Sequence, residues 1–278
     1  MGKKKMSAID FKKFKQEGKI FTMVTAYDYT TASIVDESEV ETILVGDSLG
    51  MTMLGYNSTV GVTMEDMIHH IRPVVKGAPN TFVVGDMPFG SYNESIPQAI
   101  HEAGRMVKET GCDAIKLEGG VEFAPVVEAI IKAGVPVIGH IGLTPQTATS
   151  LGGFRVQGGT PESAKQLIAD AKALAATGVL AIVVECVPTI VGKAISEAVD
   201  VPIIGIGAGN GTDAQVLVFH DMMGLYGDFK PKMVKQFCNL RPQIVRGLND
   251  YRAECADRSF PGPEHSFAAK FETIDKLY

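Results

Sequence analysis

The feature that most constrains this chain is a series of eight short apolar runs, each five to seven residues long and rich in β-branched residues. The runs are apolar almost throughout and do not alternate with polar residues. That pattern is typical of strands covered on both faces, as in parallel sheets. We therefore predict strands at residues 20–26, 42–47, 81–86, 113–118, 135–140, 180–185, 202–206 and 216–220.

Helical patterns separate several of these strands. One of them begins at Pro161 and stops at Gly178, which are residue types that start and end helices. The predicted helices span residues 95–110, 123–133, 161–177 and 192–199, with a terminal helix at 233–252. Strands that alternate with helices in this way predict a (β/α)8 TIM barrel, with a doubly wound open sheet as the alternative.

The chain has no evident linker or low-complexity segment, so we expect one domain over residues 1–278. Seven lysines and two acids give residues 1–20 a charge of +5, and no apolar stretch follows them. We interpret residues 1–19 as a solvated leader, since a secretory signal would need that apolar stretch. The proline-containing residues 259–278 are expected to form an extended tail.

Composition and charge exclude several classes of protein. The 26 basic and 32 acidic residues give a net charge of −6, which argues against a nucleic-acid partner. No apolar run reaches the roughly 18 residues that a membrane-spanning helix needs. The four cysteines, at positions 112, 186, 238 and 255, are too far apart for a metal knuckle or a redox pair. Reduced thiols and a cytoplasmic location are therefore expected.

Polar side chains end five of the predicted strands, where active sites of barrels of this kind lie. Burying an unpaired carboxylate there is costly. A single acid in such a place is as well explained by capping of the next helix, but four acids at one rim favour a site. The residues are Asp47 and Ser48, Asp86, Lys116 and Glu118, His140, and Glu185.

Asp47, Asp86 and Glu118 offer hard oxygen donors, which suit Mg2+ better than zinc. Lys116 lies two residues from Glu118, so both side chains face the same side of a strand. Lys116 could hold a substrate carboxylate or an enolate oxygen, form a Schiff base, or simply pair with an acid. Nearby carboxylates raise the pKa of a lysine and disfavour the free amine, so we prefer the electrostatic role.

Glu185 lies apart from the three metal-binding candidates and is the natural general base. His140 is either a substrate hydrogen bonder or a buried structural histidine.

The glycine-rich residues 205–211 could cradle a phosphate, but a tight turn after the seventh strand is favoured. His69 and His70 are interpreted as helix surface.

Several longer motifs resemble one family closely, the ketopantoate hydroxymethyltransferases. The resemblance runs from about residue 6 to residue 267. It is carried by TAYDYTTA (25–32), VGDSLGMTMLGYNSTVGVTMEDMIHH (45–70), GDMPFGSY (85–92), IKLEGG (115–120), GHIGLTPQ (139–146), GGFRVQG (152–158), IGIGAGNGTDAQVLVFHDMMGL (204–225) and SFPGPEHSF (259–267).

The resemblance implies a barrel of the phosphoenolpyruvate mutase/isocitrate lyase-like group. It implies transfer of a hydroxymethyl group from 5,10-methylenetetrahydrofolate to 3-methyl-2-oxobutanoate through a magnesium-stabilised enolate, in pantothenate synthesis. It also implies one Mg2+ per subunit and large ring-stacked homo-oligomers, usually decamers.

The resemblance assigns roles residue by residue, and every position carries the family's residue. It implies that Asp47, Asp86 and Glu118 ligate the metal and that Glu185 is the base. It implies that the keto acid is contacted by Ser48, Asp86 and Lys116.

Three other functions compete with this one. They are another magnesium-dependent 2-oxo acid lyase or mutase of the same superfamily, a Schiff-base aldolase using Lys116, and a barrel scaffold without activity. Turnover that depends on methylenetetrahydrofolate would exclude the first. For the second, borohydride with the keto acid would trap an adduct on Lys116, and absence of that adduct would exclude it. The intact set of rim residues argues against the third.

Overall fold

A closed barrel of eight parallel strands forms the centre of this computed structural model, which describes residues 3–227 and 231–269. The strands follow one another around the barrel in sequence order, and the last pairs with the first. They are β1 (Phe21–Thr25), β2 (Thr42–Val45), β3 (Phe82–Asp86), β4 (Ala114–Glu118), β5 (Val137–Gly142), β6 (Ala181–Glu185), β7 (Ile203–Ile206) and β8 (Ala214–Leu217). The predicted barrel is therefore confirmed and the open-sheet alternative is wrong.

Helices connect the strands and surround the barrel. They are α1 (Ala8–Glu17), α2 (Tyr29–Glu37), α3 (Leu49–Thr52), α4 (Met64–Gly77), α5 (Ile96–Thr110), α6 (Ala124–Lys132), α7 (Pro161–Thr177), α8 (Thr189–Ala198), α9 (Phe219–Met222) and α10 (Arg241–Asp257). The bounds of α7 match the prediction, because Thr160 caps its start and Gly178, at φ 94°, ends it. The sequence pattern predicts neither α2 nor α3, and it places residues 219 and 220 of α9 in the eighth strand.

Two predicted elements are displaced along the chain. β8 lies at Ala214–Leu217 and not at 216–220, because its register with β1 pairs Ala214 with Phe21. The terminal helix starts at Arg241 and not at 233, with Pro242 in its first turn. Met233, in the segment expected to be helical, packs against the core inside the barrel.

Alternation along the strands divides the core into two layers. Outward-facing side chains such as Ile43, Val83 and Ile182 pack beneath the helices. Inward-facing side chains fill the barrel, among them Phe82 and Val84 of β3. The same period of two continues to the carboxyl ends of β3 to β6, where the inward positions are polar. Those polar residues are Asp86, Lys116, Glu118, His140 and Glu185.

The opposite end of the barrel is closed by α1, so the expectation of a solvated leader over residues 1–19 is wrong. Phe11 is fully buried and contacts Phe21 and Phe82 edge to face, at ring-centroid distances of 5.3 and 5.1 Å. Lys15 forms an ion pair with Asp213 at 2.7 Å. Few apolar residues recur at helical spacing in this lysine-rich segment, so its sequence resembles a solvated leader although it forms a packed helix. Residues 1–2 lie outside the described part.

The predicted tail is described only in part. Residues 259–269 follow α10 with a single 3-10 turn, Pro263–His265, and residues 270–278 lie outside the described part. No helix in residues 3–227 or 231–269 combines the length and the apolar character needed to cross a membrane.

Candidate active site

Strand register brings the rim residues side by side. Asp86 of β3 is the register partner of Lys116 of β4, and Glu118 of β4 is the register partner of His140 of β5. All four side chains face into the barrel and are buried. The prediction that these strand ends converge on one rim therefore agrees with the geometry.

Lys116 is the cation in this group. Its Nζ atom lies 2.8 Å from Oδ1 of Asp86 and 3.3 Å from Nδ1 of His140. Burial alone lowers the pKa of Lys116, but the charges of Asp86, Glu118 and Asp47 outweigh burial and raise this pKa. The side chain is therefore an ammonium ion, which binds anions and is a poor Schiff-base nucleophile.

His140 links two carboxylates. Its Nδ1 atom lies 3.5 Å from Oε1 of Glu118, and its Nε2 atom lies 3.3 Å from Oε2 of Glu185. Burial and the charge of Lys116 lower the pKa of His140, but Glu118 and Glu185 outweigh them and raise it to about 9. In the neutral ring, Nδ1 can accept from Lys116, which leaves the proton on Nε2. The contact of Nε2 with Glu185 is close but is not a well-directed hydrogen bond.

Asp47 lies in the turn after β2 and completes a buried group of three acids. Its main-chain N–H donates to Oδ2 of Asp86 at 3.1 Å. Burial, followed by the charges of Asp86 and Glu118, raises the pKa of Asp47 well above its ordinary value. Lys116 and a protonated His140 together therefore do not fully compensate the negative charge that the three carboxylates bring to this rim.

Ser48 and Glu185 are the most accessible of the predicted residues. Ser48 is half-buried, and its Oγ atom lies 2.7 Å from the hydroxyl of Tyr27. The side chain of Glu185 is 14% exposed at the end of β6. These two residues, on opposite sides of the buried group along the strand order, are available to a ligand that enters from the rim.

The fit to a metal ion rests on oxygen atoms with incomplete hydrogen bonding. Oδ1 of Asp86 and Oε1 of Glu118 are buried and have no well-directed hydrogen bond within the described ranges, although Oδ1 is ion-paired with Lys116. Across residues 3–227 and 231–269, no three His, Cys, Asp or Glu side chains are close enough to hold a metal by themselves. Mg2+ is usually bound through one or two carboxylates with waters and substrate oxygens, so this donor set fits it.

Two other predicted features lie outside this group. The glycine-rich turn after β7 packs against α8, where a Cβ atom on Gly211 would lie 2.8 Å from Cβ of Lys193. This close approach supports the tight-turn interpretation. His69 is exposed as expected, but His70 is partly buried, with Nδ1 2.7 Å from the carbonyl oxygen of Tyr27. The surface interpretation is therefore wrong for His70.

Three polar residues at the rim were not predicted. Gln146 and Tyr92 are buried beside the acids, and Tyr27 is buried beside Ser48. All three lie within the motifs that carry the family resemblance, and Gln146 and Tyr92 are the last residues of GHIGLTPQ and GDMPFGSY. Those motifs were the only signal, since none of the three residues ends a predicted strand.

Comparison with known proteins identifies relatives over nearly the whole chain. A family model described as ketopantoate hydroxymethyltransferase matches residues 5–263. A 3-methyl-2-oxobutanoate hydroxymethyltransferase of Heliobacterium modesticaldum is 57% identical over 264 residues, which cover 95% of this chain and 96% of the relative. The protein of the same name from Enterococcus faecalis is 51% identical and covers 99% and 100%.

Solved structures with the same fold are more distant in sequence. A 2,3-dimethylmalate lyase, described as a PEP mutase/isocitrate lyase superfamily member, has a TM-score of 0.58 at 13% identity, with 97% of this chain and 93% of that chain covered. A phosphonopyruvate hydrolase in complex with oxalate and Mg2+ has a TM-score of 0.60 at 11% identity, with 94% and 93% covered. These likenesses establish the fold group.

Proposed function

The chain belongs to the ketopantoate hydroxymethyltransferase family, and from this premise we propose that it transfers a hydroxymethyl group from 5,10-methylenetetrahydrofolate to 3-methyl-2-oxobutanoate. The products are 2-dehydropantoate (ketopantoate) and tetrahydrofolate, in the pathway to pantothenate. One observation carries this proposal beyond the family. Lys116 and the buried acids form a charged group at the carboxyl rim of the barrel, with Glu185 accessible beside it.

Asp47, Asp86 and Glu118 would hold one Mg2+ per subunit together with waters and substrate oxygens, since no three such side chains in the described residues are close enough to hold it alone. When bound, Mg2+ supplies Lewis-acid stabilisation of negative charge on the 2-oxo oxygen of the substrate. The incompletely hydrogen-bonded oxygens of Asp86 and Glu118 support this assignment. So does the excess of negative charge around Asp47, which a divalent cation would offset.

Lys116, Ser48 and Asp86 would contact the keto acid. The ammonium group of Lys116 attracts the substrate carboxylate and any negative charge that develops on its oxygen. The ion pair with Asp86 holds the ammonium group of Lys116 in one position before the substrate binds. His140 would act from the same side, either on the substrate directly or by orienting Glu185.

Glu185 would remove the proton from C3 of 3-methyl-2-oxobutanoate. A carboxylate near the opening of the barrel and outside the metal-binding set is suited to that transfer. Water cleaves the two carbon–nitrogen bonds of the folate methylene group, which releases tetrahydrofolate and leaves the one-carbon unit as formaldehyde. The enolate carbon then adds to the carbonyl carbon of formaldehyde, and the alkoxide that forms takes up a proton to become the hydroxyl group of ketopantoate.

The proposed function is tested by measuring ketopantoate and tetrahydrofolate together. We expect both products in equal amounts, and formation of both should need 3-methyl-2-oxobutanoate, methylenetetrahydrofolate and Mg2+. Turnover of the keto acid without the folate would favour a lyase or mutase of the same superfamily. A product-free mixture with all three components would overturn the assignment.

Self-association to a homo-oligomer, usually a decamer in the family, is part of the same proposal. None of the 17 residues of α10 is buried against the described part of the chain. Ile244, Leu248 and Tyr251 recur at helical spacing on one face of α10, and half or more of each is exposed. An apolar stripe of this kind supports contact with a second copy of the chain.

A cytoplasmic location is also proposed. The four cysteines, at positions 112, 186, 238 and 255, are all free thiols. Free thiols persist in the reducing cytosol, whereas an oxidising compartment favours disulfides.

A further inference from the structure

Gln146 contacts two of the three buried acids and makes four hydrogen bonds within the described residues. It lies in the 3-10 turn Pro145–Thr147 that follows β5, and it is only 3% exposed. Its main-chain N–H donates to Oε2 of Glu118 at 3.1 Å. Its side-chain Nε2 donates to Oδ2 of Asp47 at 3.0 Å and to the carbonyl oxygen of Met87 at 2.9 Å.

The surroundings permit only one orientation of the Gln146 amide. The carbonyl oxygen of Met87 can only accept a hydrogen bond, so it must face Nε2 and not Oε1. Oε1 then faces the hydroxyl of Tyr92, which donates to it at 2.6 Å. The Tyr92 oxygen in turn accepts from the main-chain N–H of Glu118 at 3.3 Å. The side chain is therefore fixed at both ends.

These hydrogen bonds engage one oxygen of each of two acids that come from different strands. Asp47 follows β2 and Glu118 ends β4, so no local chain geometry sets the separation of their carboxylates. Gln146 binds Oδ2 of Asp47 with its side chain and Oε2 of Glu118 with its main chain. Oε1 of Glu118 is left buried without a directed hydrogen bond from the described residues.

We propose that Gln146 is a positioning residue that holds the carboxylates of Asp47 and Glu118 in place for the cation. This role rests on the proposed function, in which both acids ligate Mg2+. A side chain that bonds one oxygen of a ligand leaves the other oxygen aimed at the metal. Groups of this kind commonly change metal affinity by about 10- to 100-fold when they are removed. Neither the family resemblance nor the strand-end pattern assigns Gln146 a role.

Isothermal titration of Mg2+ into the full-length protein tests this proposal. In Gln146→Met the side chain keeps its length but loses both the donor and the acceptor. We expect Mg2+ to bind at least about tenfold more weakly than in the wild type. Gln157→Met is the matched control. Gln157 lies in the same connection between β5 and α7, and among the described residues its side chain donates only to the carbonyl oxygen of Arg155. The Mg2+ affinity of the Gln157→Met protein should equal that of the wild type.

Steady-state kinetics separates positioning from a merely structural effect. If Gln146 acts through the cation, a higher Mg2+ concentration should restore most of the kcat that Gln146→Met loses at limiting Mg2+. A structural defect would leave kcat low at every Mg2+ concentration. Tyr92→Phe removes the donor to Oε1 of Gln146 and the acceptor of the Glu118 main-chain N–H, but it keeps the Gln146 amide and its bond to Asp47. We therefore expect the Mg2+ affinity of Tyr92→Phe to fall between those of the control and Gln146→Met.

Gln146→Glu keeps the proposal testable if circular dichroism shows that Gln146→Met is unfolded. It preserves size and the acceptor toward Tyr92, but it replaces the donor toward Asp47 by an oxygen. Wild-type affinity, within about twofold, in a folded Gln146→Met or Gln146→Glu protein would overturn the role of Gln146 alone. Failure of the wild type itself to bind Mg2+ would overturn the proposed metal site and this role with it.

Discussion

Lys116 Nζ lies 2.8 Å from Oδ1 of Asp86, and the two residues are direct register partners on β4 and β3. The pair is buried where the inward-facing core of the barrel gives way to polar side chains. Because the backbone register fixes both Cα positions, the ion pair does not depend on flexible loops. In the proposed function, this rigid pair would orient the substrate carboxylate.

Lys116→Met should strongly destabilise the protein. Removal of the ammonium leaves Asp86, Asp47 and Glu118 buried without their cation, and a broken buried pair typically costs about 3 to 5 kcal/mol. Urea denaturation in EDTA measures the change in the free energy of unfolding. Lys132→Met is the control. The Lys132 side chain pairs with Glu128 but is 71% exposed, and exposed ion pairs contribute little to stability. Equal losses in the two variants would contradict a special role for the buried pair.

Glu185→Gln should abolish exchange of the C3 proton of 3-methyl-2-oxobutanoate and leave binding of the keto acid nearly unchanged. The amide keeps the size of the side chain but cannot accept the proton. Proton NMR in heavy water with Mg2+ follows the exchange. Glu197→Gln, on the exposed face of α8, should exchange at the wild-type rate. Full exchange in Glu185→Gln would remove Glu185 from the role of base.

Phe11→Ala should lower the free energy of unfolding by about 3 to 5 kcal/mol. Phe11 is fully buried between Phe21 and Phe82 at the closed end of the barrel, so its loss leaves a cavity. Ile9→Ala on the same helix is the control, since Ile9 is 81% exposed. If the two variants unfolded at the same urea concentration, α1 would not contribute to the core in solution.

The barrel and most of its rim were predictable because both follow from local pattern. Strands buried on both faces need continuous apolar runs. One acid at the end of such a run can cap the next helix, but four acids at the same rim are not explained in that way. Asp86 and Glu118 end β3 and β4 as predicted. Inspection of the residues that end predicted strands therefore identifies site residues whose position is set by a single strand.

The residues that sequence reasoning missed depend on contacts between distant parts of the chain. Gln146 lies in a turn, and only the fold brings it to Asp47, 99 residues away. The burial of Phe11 could not be predicted from the sequence near it either. A segment with many lysines resembles a solvated leader until β1 and β3 provide the aromatic surface that covers Phe11.

Asp47→Asn should stabilise the metal-free protein and weaken its response to Mg2+. Burial and the charges of Asp86 and Glu118 oppose the ionised form of Asp47, so its neutralisation should raise the free energy of unfolding in EDTA. A cation that binds only the folded state stabilises the wild type by about 2.7 kcal/mol at 100 times its Kd. Urea denaturation with and without Mg2+ should show that the Asp47→Asn protein lacks most of this gain. Asp200→Asn, at an exposed position, should behave like the wild type in both conditions.

Leu248→Asp should shift the protein to smaller assemblies. Leu248 lies in the apolar stripe of α10 with Ile244 and Tyr251, and a carboxylate buried in an interface without a partner is costly. Ala253→Asp adds the same charge on the opposite side of the helix, where Ala253 is exposed.

Sedimentation velocity distinguishes the outcomes. We expect the wild type and Ala253→Asp to sediment as the same multiple of the 29.7 kDa chain, and Leu248→Asp as a smaller one. Circular dichroism should show that all three proteins are folded, because α10 has no buried residue that the substitutions could remove. A folded Leu248→Asp protein of unchanged mass would show that this face of α10 does not lie in the subunit interface. The apolar stripe would then need another partner.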